Sequence, residues 1–315
     1  MTPSWGAAIA LLLEGVSRKD LEQRAGKMSA AYRDGGTSVG IADPADALAY
    51  LVTRAPATHA ALCAVFARLA EAVPDFAPGN LLDVGAGPGT ASWAAREAWP
   101  PLAAVTMIEP NATFRDLAAR LMPDAEIVAG RLGTALPRAD LVTAAYVLAE
   151  LPEAAAGDTA RQLWNAASQV LVLVEPGTPA GFARIRAARA ALIEAGGHVA
   201  APCTHDEACP LHGDDWCHFS QRLARSRDHM IAKGAHVPYE DERYAYVAVS
   251  RVPLANRASA RIIKPPVEAK PGITLPLCEA SGLRNALVAR RDKAALRVAR
   301  NKARGAPLSP HAPPP

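Results

Sequence analysis

Aromatic residues make up 5% of this 315-residue chain. With so few, and with alanine abundant, the scaffold is expected to be more helical than all-β, its helices filled with small residues. Long apolar runs are missing too. The densest, Gln169 to Val174, suits a buried strand and falls far short of a membrane span. The apolar run Ala7–Leu13 has no basic residue before it and is cut short by Glu14, which excludes a secretory signal as read from the sequence. Thiols are therefore expected to stay reduced, which weakens a reading of the cysteines as disulfides. Charge of one sign is also lacking. A net charge of +3 does not by itself indicate a nucleic-acid partner, and a 50% hydrophobic composition is ample for a core.

The first eighty residues read as helices over Ala7–Leu13, Arg18–Tyr32, Pro44–Arg54 and Ala57–Ala72, ending at Pro74 and Pro78-Gly79. Beyond that boundary, strand and helix alternate. Leu81–Val84, Val105–Ile108, Ala125–Val128, Leu141–Ala145 and Val170–Val174 are short apolar runs separated by helical or turn material, the order of a parallel sheet covered on both faces. Gly181–Ala195 reads as a helix closed by Gly196-Gly197, and Tyr244–Ser250 with Ala260–Lys264 as the closing strands of the sheet. The expected organisation is a helical region over 1–78, an α/β domain over 79–304 with a cysteine-rich insertion at about 198–240, and a disordered proline-rich tail over 305–315.

Leu82-Asp83-Val84-Gly85-Ala86-Gly87-Pro88-Gly89-Thr90 joins the first strand to a helix over Thr90–Glu97. Glycines at 85, 87 and 89 allow a tight turn and let a ligand lie on the backbone. A dinucleotide-binding loop would place its third glycine at position 90, where Thr90 stands. The spacing, with Asp83 two residues before Gly85, instead resembles that of S-adenosylmethionine-dependent methyltransferases. Glu109, at the tip of the second strand, is placed to accept both ribose hydroxyls of such a cofactor, with Asp83 near its amino group through water. After the fourth strand there is no Asn-Pro-Pro-Tyr or Asp-Pro-Pro-Tyr motif and no Pro-Cys nucleophile. Tyr146 and Glu150 there read as packing or capping residues, so no catalytic residue is assigned.

Cys203, Cys209 and Cys217 are separated by five and seven residues in a proline-punctuated segment with few aliphatic residues, and Cys278 is a fourth candidate ligand. Thiolates favour zinc or iron-sulfur iron over hard cations. The wide spacing, with no Cys-x-x-Cys, suits a cluster held by a long loop, while zinc remains an alternative. From Arg284 to Arg304 the sequence carries eight basic residues, among them Arg284, Arg290, Arg291, Lys293, Arg297 and Arg300, against Asp292 alone. Such a block is either a solvated tail or a phosphate-contacting arm.

Taken together, these segments resemble the methyltransferase-like family of the mitochondrial small ribosomal subunit, the Rsm-twenty-two family. The resemblance runs from about Ser29 to Arg304 through Ser29-Ala30-Ala31-Tyr32-Arg33, Arg54-Ala55-Pro56-Ala57-Thr58, the glycine loop, Val174-Glu175-Pro176-Gly177-Thr178-Pro179, the segment Cys203–Arg222, and Cys278 with the basic run. It implies a class I methyltransferase (Rossmann-like) fold and a [4Fe-4S] cluster on Cys203, Cys209, Cys217 and Cys278. It also implies a role in small ribosomal subunit assembly on rRNA, with methylation of that rRNA as the enzymatic reading. A catalytically inactive RNA-binding assembly factor and a small-molecule methyltransferase with a zinc loop are the alternatives. The opening residues are not arginine-rich, so the expected compartment is a bacterial cytoplasm and the expected state a monomer.

Overall fold

The computed structural model describes residues 4–33, 40–302 and 304–308, with the side chains of 29–33 left out. The family-like segment Ser29–Arg33 is thus seen only as helical backbone, and the expected tail beyond 308 lies outside the described residues.

Four helices open the chain: α1 (Trp5–Leu12), α2 (Arg18–Arg33), α3 (Pro44–Thr53) and α4 (Ala55–Ala72). Asp43 caps α3 by accepting from the N–H groups of Ala45 and Asp46, and Pro44 occupies the first turn, where no N–H is needed. Arg24 of α2 reaches the same point, pairing with Asp20, Asp43 and Asp46 at 2.7–2.9 Å. The apolar face of α4 is buried along Ala61, Leu62, Val65, Phe66 and Leu69, a 3.6-residue stripe that seats the helical layer on the sheet.

That sheet is built from β1 (Asn80–Val84), β2 (Ala104–Ile108), β3 (Glu126–Val128), β4 (Ala139–Ala145), β5 (Ala167–Pro176), β6 (His198–Ala201), β7 (Phe219–Ala224) and β8 (Tyr239–Ser250). Its order is β3-β2-β1-β4-β5-β8-β6, with β7 also paired to β8. β1 to β5 are parallel, and β8 runs antiparallel to β5, β6 and β7. Helices α5 (Thr90–Ala98), α6 (Ala112–Leu121), α7 (Ala156–Ala166) and α8 (Pro179–Glu194) make the crossovers, and α9 (Arg227–Ala232) links β7 to β8. Of the first five strands, expected as apolar runs, β1, β2, β4 and β5 are largely buried on both faces, with Val170–Val174 0–1% exposed throughout, while β3 at the sheet edge is exposed, Val128 at 38%. This is the class I methyltransferase, Rossmann-like arrangement, in which the chain order reverses at β1 and β4 and opens a crevice beyond the strand tips.

Three expectations need correction. Ala260–Ile262 (β9) does not close the main sheet: β8 is already paired on both sides, so β9 joins a second sheet of five strands. The others are β10 (Val267–Ala269), β11 (Gly272–Glu279), β12 (Gly282–Ala289) and β13 (Pro307–Leu308), packed with α10 (Lys293–Arg300). The inward alternation Ile273, Leu275, Leu277 and its partners Ala286 and Val288 form the small core of this unit. Second, the cysteine region is not wholly an insertion, because β6 within it is a strand of the main sheet. Third, the proline-rich tail does not begin at 305. The Gly305 N–H donates to the Ile262 carbonyl, and Pro307–Leu308 pair with β9, so these residues find ladder partners despite the prolines that follow.

Candidate functional site

The glycine loop lies at the reversal point of the sheet. Gly85 has φ +68°, and a Cβ there would come within 2.5 Å of the Val147 side chain, so only glycine lets β1 turn under the β4 loop. Gly87 also has positive φ (+55°), but a Cβ at that position would meet nothing within 4 Å: the loop offers bare backbone to open space. Gly89 (φ +83°) is the residue before α5, whose N-terminus therefore opens onto the loop.

Two carboxylates hold this loop. Glu109, 4% exposed at the end of β2, accepts from the Gly87 N–H and the Asn111 N–H, each at 2.8 Å. Asp83 is 1% exposed; its Oδ2 accepts from the Ser92 N–H (3.1 Å) and hydroxyl (2.7 Å), and its Oδ1 from the Thr143 hydroxyl (3.1 Å). Asp83 thereby ties β1, α5 and β4 together directly below the loop. Burial raises the pKa of both acids, and these hydrogen bonds oppose the rise.

Across the crevice, Tyr146 follows β4 with φ 62°, a left-handed conformation that costs a non-glycine residue energy and marks functional turns. Its N–H donates to the Val174 carbonyl (2.7 Å), and its hydroxyl donates to Glu242 Oε1 (3.0 Å), which also faces Arg54 at 4.0 Å. Burial, and next the Glu242 charge, hold the phenol well above its ordinary pKa. Glu175, at the tip of β5, is fully buried; Oε1 accepts from the Leu148 N–H (2.8 Å), while Oε2 has no hydrogen-bond partner among the described residues. Burial raises its pKa to about 8. Sequence reading took Tyr146 for a packing or capping residue and gave Glu175 no role of its own. The strain at Tyr146 has no signature in Ala145-Tyr146-Val147, whereas Glu175 before Pro176-Gly177 at a strand end was a usable signal.

The four cysteines meet in a second place. Cys203, Cys209 and Cys217 come from the loop between β6 and β7, Cys278 from β11, and all four line one cavity with Arg186, Arg189 and Arg261. The loop is moored to the methyltransferase side: the Trp216 Nε1–H donates to the Gly177 carbonyl at 3.0 Å, just past Glu175. Gly177 is held against β8, where a Cβ would fall 2.7 Å from backbone atoms of Arg243 and Tyr244. His205 Nε2 lies 3.6 Å from Cys278 Sγ. All four thiols are free of disulfides, and burial followed by the nearby Cys203 pushes Cys217 and Cys278 up to about 12.

The cavity wall is short of acceptors. Arg189 Nε, Thr204 Oγ1 and Arg261 Nε all face this region, are buried, and have no hydrogen-bond partner among the described residues. An unpaired buried donor is costly, and a group rich in sulfur acceptors and negative charge would satisfy all three. The spacing of the thiols also bears on which group fits. Zinc held by thiolates at about 2.3 Å in a tetrahedron brings its sulfurs to about 3.8 Å from one another. Among the described residues, no three of these four thiols lie within 4.8 Å of one another, wider than the sulfur spacing around a single zinc ion.

The basic run is folded rather than trailing. Arg284 lies on β12 and pairs with Glu279 (2.6 Å); Arg300 and Arg290 face Glu268 at 2.8 and 3.7 Å. Arg304 turns inward to the Ile263 carbonyl and His218. The acids lie upstream, on β10 and β11, which is why the run looked unopposed in sequence. Arg291, Lys293 and Arg297 remain exposed, with no ion pair recorded among the described residues.

Residues 44–309 match the family model described as Mitochondrial small ribosomal subunit Rsm22. The human Ribosome assembly protein METTL17, mitochondrial, is 28% identical over 226 residues, covering 65% of this chain and 48% of that protein. The Rsm22-cox11 tandem protein 2, mitochondrial, of Schizosaccharomyces pombe is 26% identical over 340 aligned positions, 88% of this chain and 45% of that protein. This chain thus spans about half the length of these relatives. Among solved structures, magnesium protoporphyrin IX methyltransferase from Synechocystis PCC 6803 superposes with a TM-score of 0.41 at 16% identity, over 62% of this chain and 80% of that one. A ribosomal protein L11 methylase from Lactobacillus delbrueckii subsp. bulgaricus gives 0.37 at 14%, over 60% and 77%. The match to the family model covers most of the sequence, and the chain belongs to the Rsm22 family.

Proposed function

We propose that this protein binds S-adenosylmethionine on the glycine loop, carries a [4Fe-4S] cluster on Cys203, Cys209, Cys217 and Cys278, and acts in small ribosomal subunit assembly by holding rRNA. The observation that carries the reading is the convergence of four thiols from two distant segments on one cavity whose buried donors lack acceptors. The relatives, a ribosome assembly protein and an Rsm22 tandem protein, support the ribosomal part, as does the family.

In this proposal Gly85, Gly87 and Gly89 give the cofactor a bare backbone, Glu109 receives the ribose hydroxyls on its remaining lone pairs, and Asp83 keeps the loop rigid while reaching the amino group through water. Bound S-adenosylmethionine would supply an electrophilic methyl group. The cluster would be held by thiolates, its sulfides accepting from Arg189, Thr204 and Arg261. Arg291, Lys293 and Arg297 are the RNA contacts the structure leaves best exposed, ahead of Arg284, Arg290 and Arg300.

An assembly role without methyl transfer is favoured by one feature. The Tyr146 hydroxyl beyond β4 is committed to Glu242, so it does not stand free to act on an RNA nucleophile. The test is equilibrium binding of S-adenosylmethionine and of small-subunit rRNA to anaerobically purified protein, with transfer of labelled methyl assayed alongside. Micromolar or tighter binding of both without transfer supports the assembly role, and transfer supports the enzyme. Failure to bind either ligand overturns the proposal.

A further inference from the structure

We infer that Arg304 and Gly305, at the end of the basic run, belong to the cysteine site and not to an RNA-facing arm: they brace the cavity wall beside Cys217, and Arg304 supplies positive charge that stabilises the anionic group held there. The inference rests on the proposed reading that the four thiolates hold a [4Fe-4S] cluster.

The contacts of these two residues carry the argument. Arg304 Nε donates to the Ile263 carbonyl at 2.7 Å, and its Nη1 meets His218 Nε2. Ile263 lines the cavity, and His218 directly follows the ligand Cys217. A guanidinium has no lone pair, so the ring nitrogen facing it accepts. Gly305 (φ +88°) packs so closely on Phe219, another cavity residue, that a Cβ would fall 2.8 Å from its ring. The Gly305 N–H donates to the Ile262 carbonyl at 2.7 Å, and its own carbonyl accepts from Arg261 Nη1. Three residues of the cavity wall, Phe219, Arg261 and Ile263, are thus held from outside by one dipeptide. A solvated arm or a phosphate contact accounts for none of these bonds.

The charge balance points the same way. The cavity is lined by Arg186, Arg189 and Arg261 and by no carboxylate. Arg186 donates to the Leu211 carbonyl at 3.0 Å and Arg189 to the His205 carbonyl at 2.8 Å, so both fasten the cysteine loop while no acid cancels their charge there. Arg304 is finished in the same manner, on a carbonyl and a ring nitrogen. Burial lowers its pKa, and the neighbouring Cys217 opposes that fall. Four thiolates outweigh the charge of an iron-sulfide core, and one-electron reduction adds a further negative charge. In a buried site a guanidinium without an acid partner therefore favours the reduced form.

The test uses the full chain purified without oxygen and compares wild type with Arg304→Gln and Arg304→Lys. Iron and sulfide are measured first, and the midpoint potential is then read by mediated redox titration followed by visible absorption and electron paramagnetic resonance. Arg304→Gln is expected to be reduced with an equilibrium constant about tenfold smaller than wild type, about 59 mV for a one-electron couple. Arg304→Lys, which keeps the charge, should recover most of that difference, whereas a purely structural role would not follow the charge. Loss of iron from folded Arg304→Gln, restored in Arg304→Lys, would equally support the site. Equal potentials in wild type and Arg304→Gln would overturn the inference and leave the cluster reading standing. With the potential unchanged, a drop of about one in the salt slope of RNA binding would return Arg304 to the RNA arm. Wild type without iron and sulfide would overturn the cluster reading and this inference with it. Should Arg304→Gln not fold, iron release to a chelator decides: release from Gly305→Ala about tenfold faster than from wild type supports the brace, and equal release overturns it.

Discussion

The glycine loop and the cysteine cavity both rest on buried charged side chains, Asp83 and Glu109 at the one and Arg189 and Arg261 at the other, yet they differ in how they are finished. Around the loop, Asp83 and Glu109 have each oxygen occupied by an N–H or hydroxyl of the frame, so the turn is held in shape by the protein alone. Around the cavity, Arg189, Thr204 and Arg261 present buried donors that have no hydrogen-bond partner among the described residues, and burial raises the pKa of Cys217 and Cys278 to about 12. On the proposed reading, the first site is preorganised for a ligand that comes and goes, and the second is completed by a resident group.

The comparison is broken most severely by removing a cavity ligand. Cys217→Ser should leave the loop between β6 and β7 unanchored, and cleavage by a limiting protease within 203–218 should accelerate about tenfold or more, followed by mass spectrometry of the fragments. Equal cleavage in variant and wild type would mean the cavity needs no resident group.

Next come two glycine substitutions that ought to part company. Gly85→Ala combines a left-handed φ with a Cβ 2.5 Å from Val147, so it should cost about 1–3 kcal/mol from overpacking in addition to the backbone term. Gly87→Ala meets no neighbour and should cost only about 1–2 kcal/mol, while blocking S-adenosylmethionine. Thermal denaturation beside calorimetric titration with the cofactor reads both.

Glu175 provides a pH test on the ground between the two sites. Its folded pKa is raised from 4.5 to about 8, so the native state binds the extra proton and stability falls as pH rises between those values. Chemical denaturation of Glu175→Gln across that range should lack the part of the decline that belongs to this residue, on the order of a few kcal/mol. Superimposable wild-type and variant profiles would show that Glu175 is ionised in the fold.

The smallest effect concerns RNA. Replacing Arg291, Lys293 and Arg297 by alanine should reduce the slope of log affinity against log salt by about 2–3, whereas Arg284→Ala and Arg300→Ala, whose charges are shared with Glu279 and Glu268, should change it less. Filter binding at several salt concentrations discriminates the two sets.

How much was readable in advance follows the same division. The five parallel strands and the glycine loop rest on apolar runs and glycine spacing, both local in sequence, whereas Cys278 was joined to Cys203, Cys209 and Cys217 as a ligand set by the family resemblance. Pairings between distant segments were not readable. β9 was assigned to the wrong sheet because nothing local says that β8 is already paired on both sides, and the basic run looked unopposed because Glu268 and Glu279 lie outside it. Tyr146 was read as a packing or capping residue because its strain arises only where β4 meets Val174 and Glu242.

The most direct test of the central claim is the iron, acid-labile sulfide and visible absorption of protein purified without oxygen, with Cys278→Ser measured in parallel. The account predicts about four irons and four sulfides per chain with a broad visible absorption, lost in the variant. Zinc in the cavity with no sulfide, unaltered in its fold by the same substitution, would contradict it.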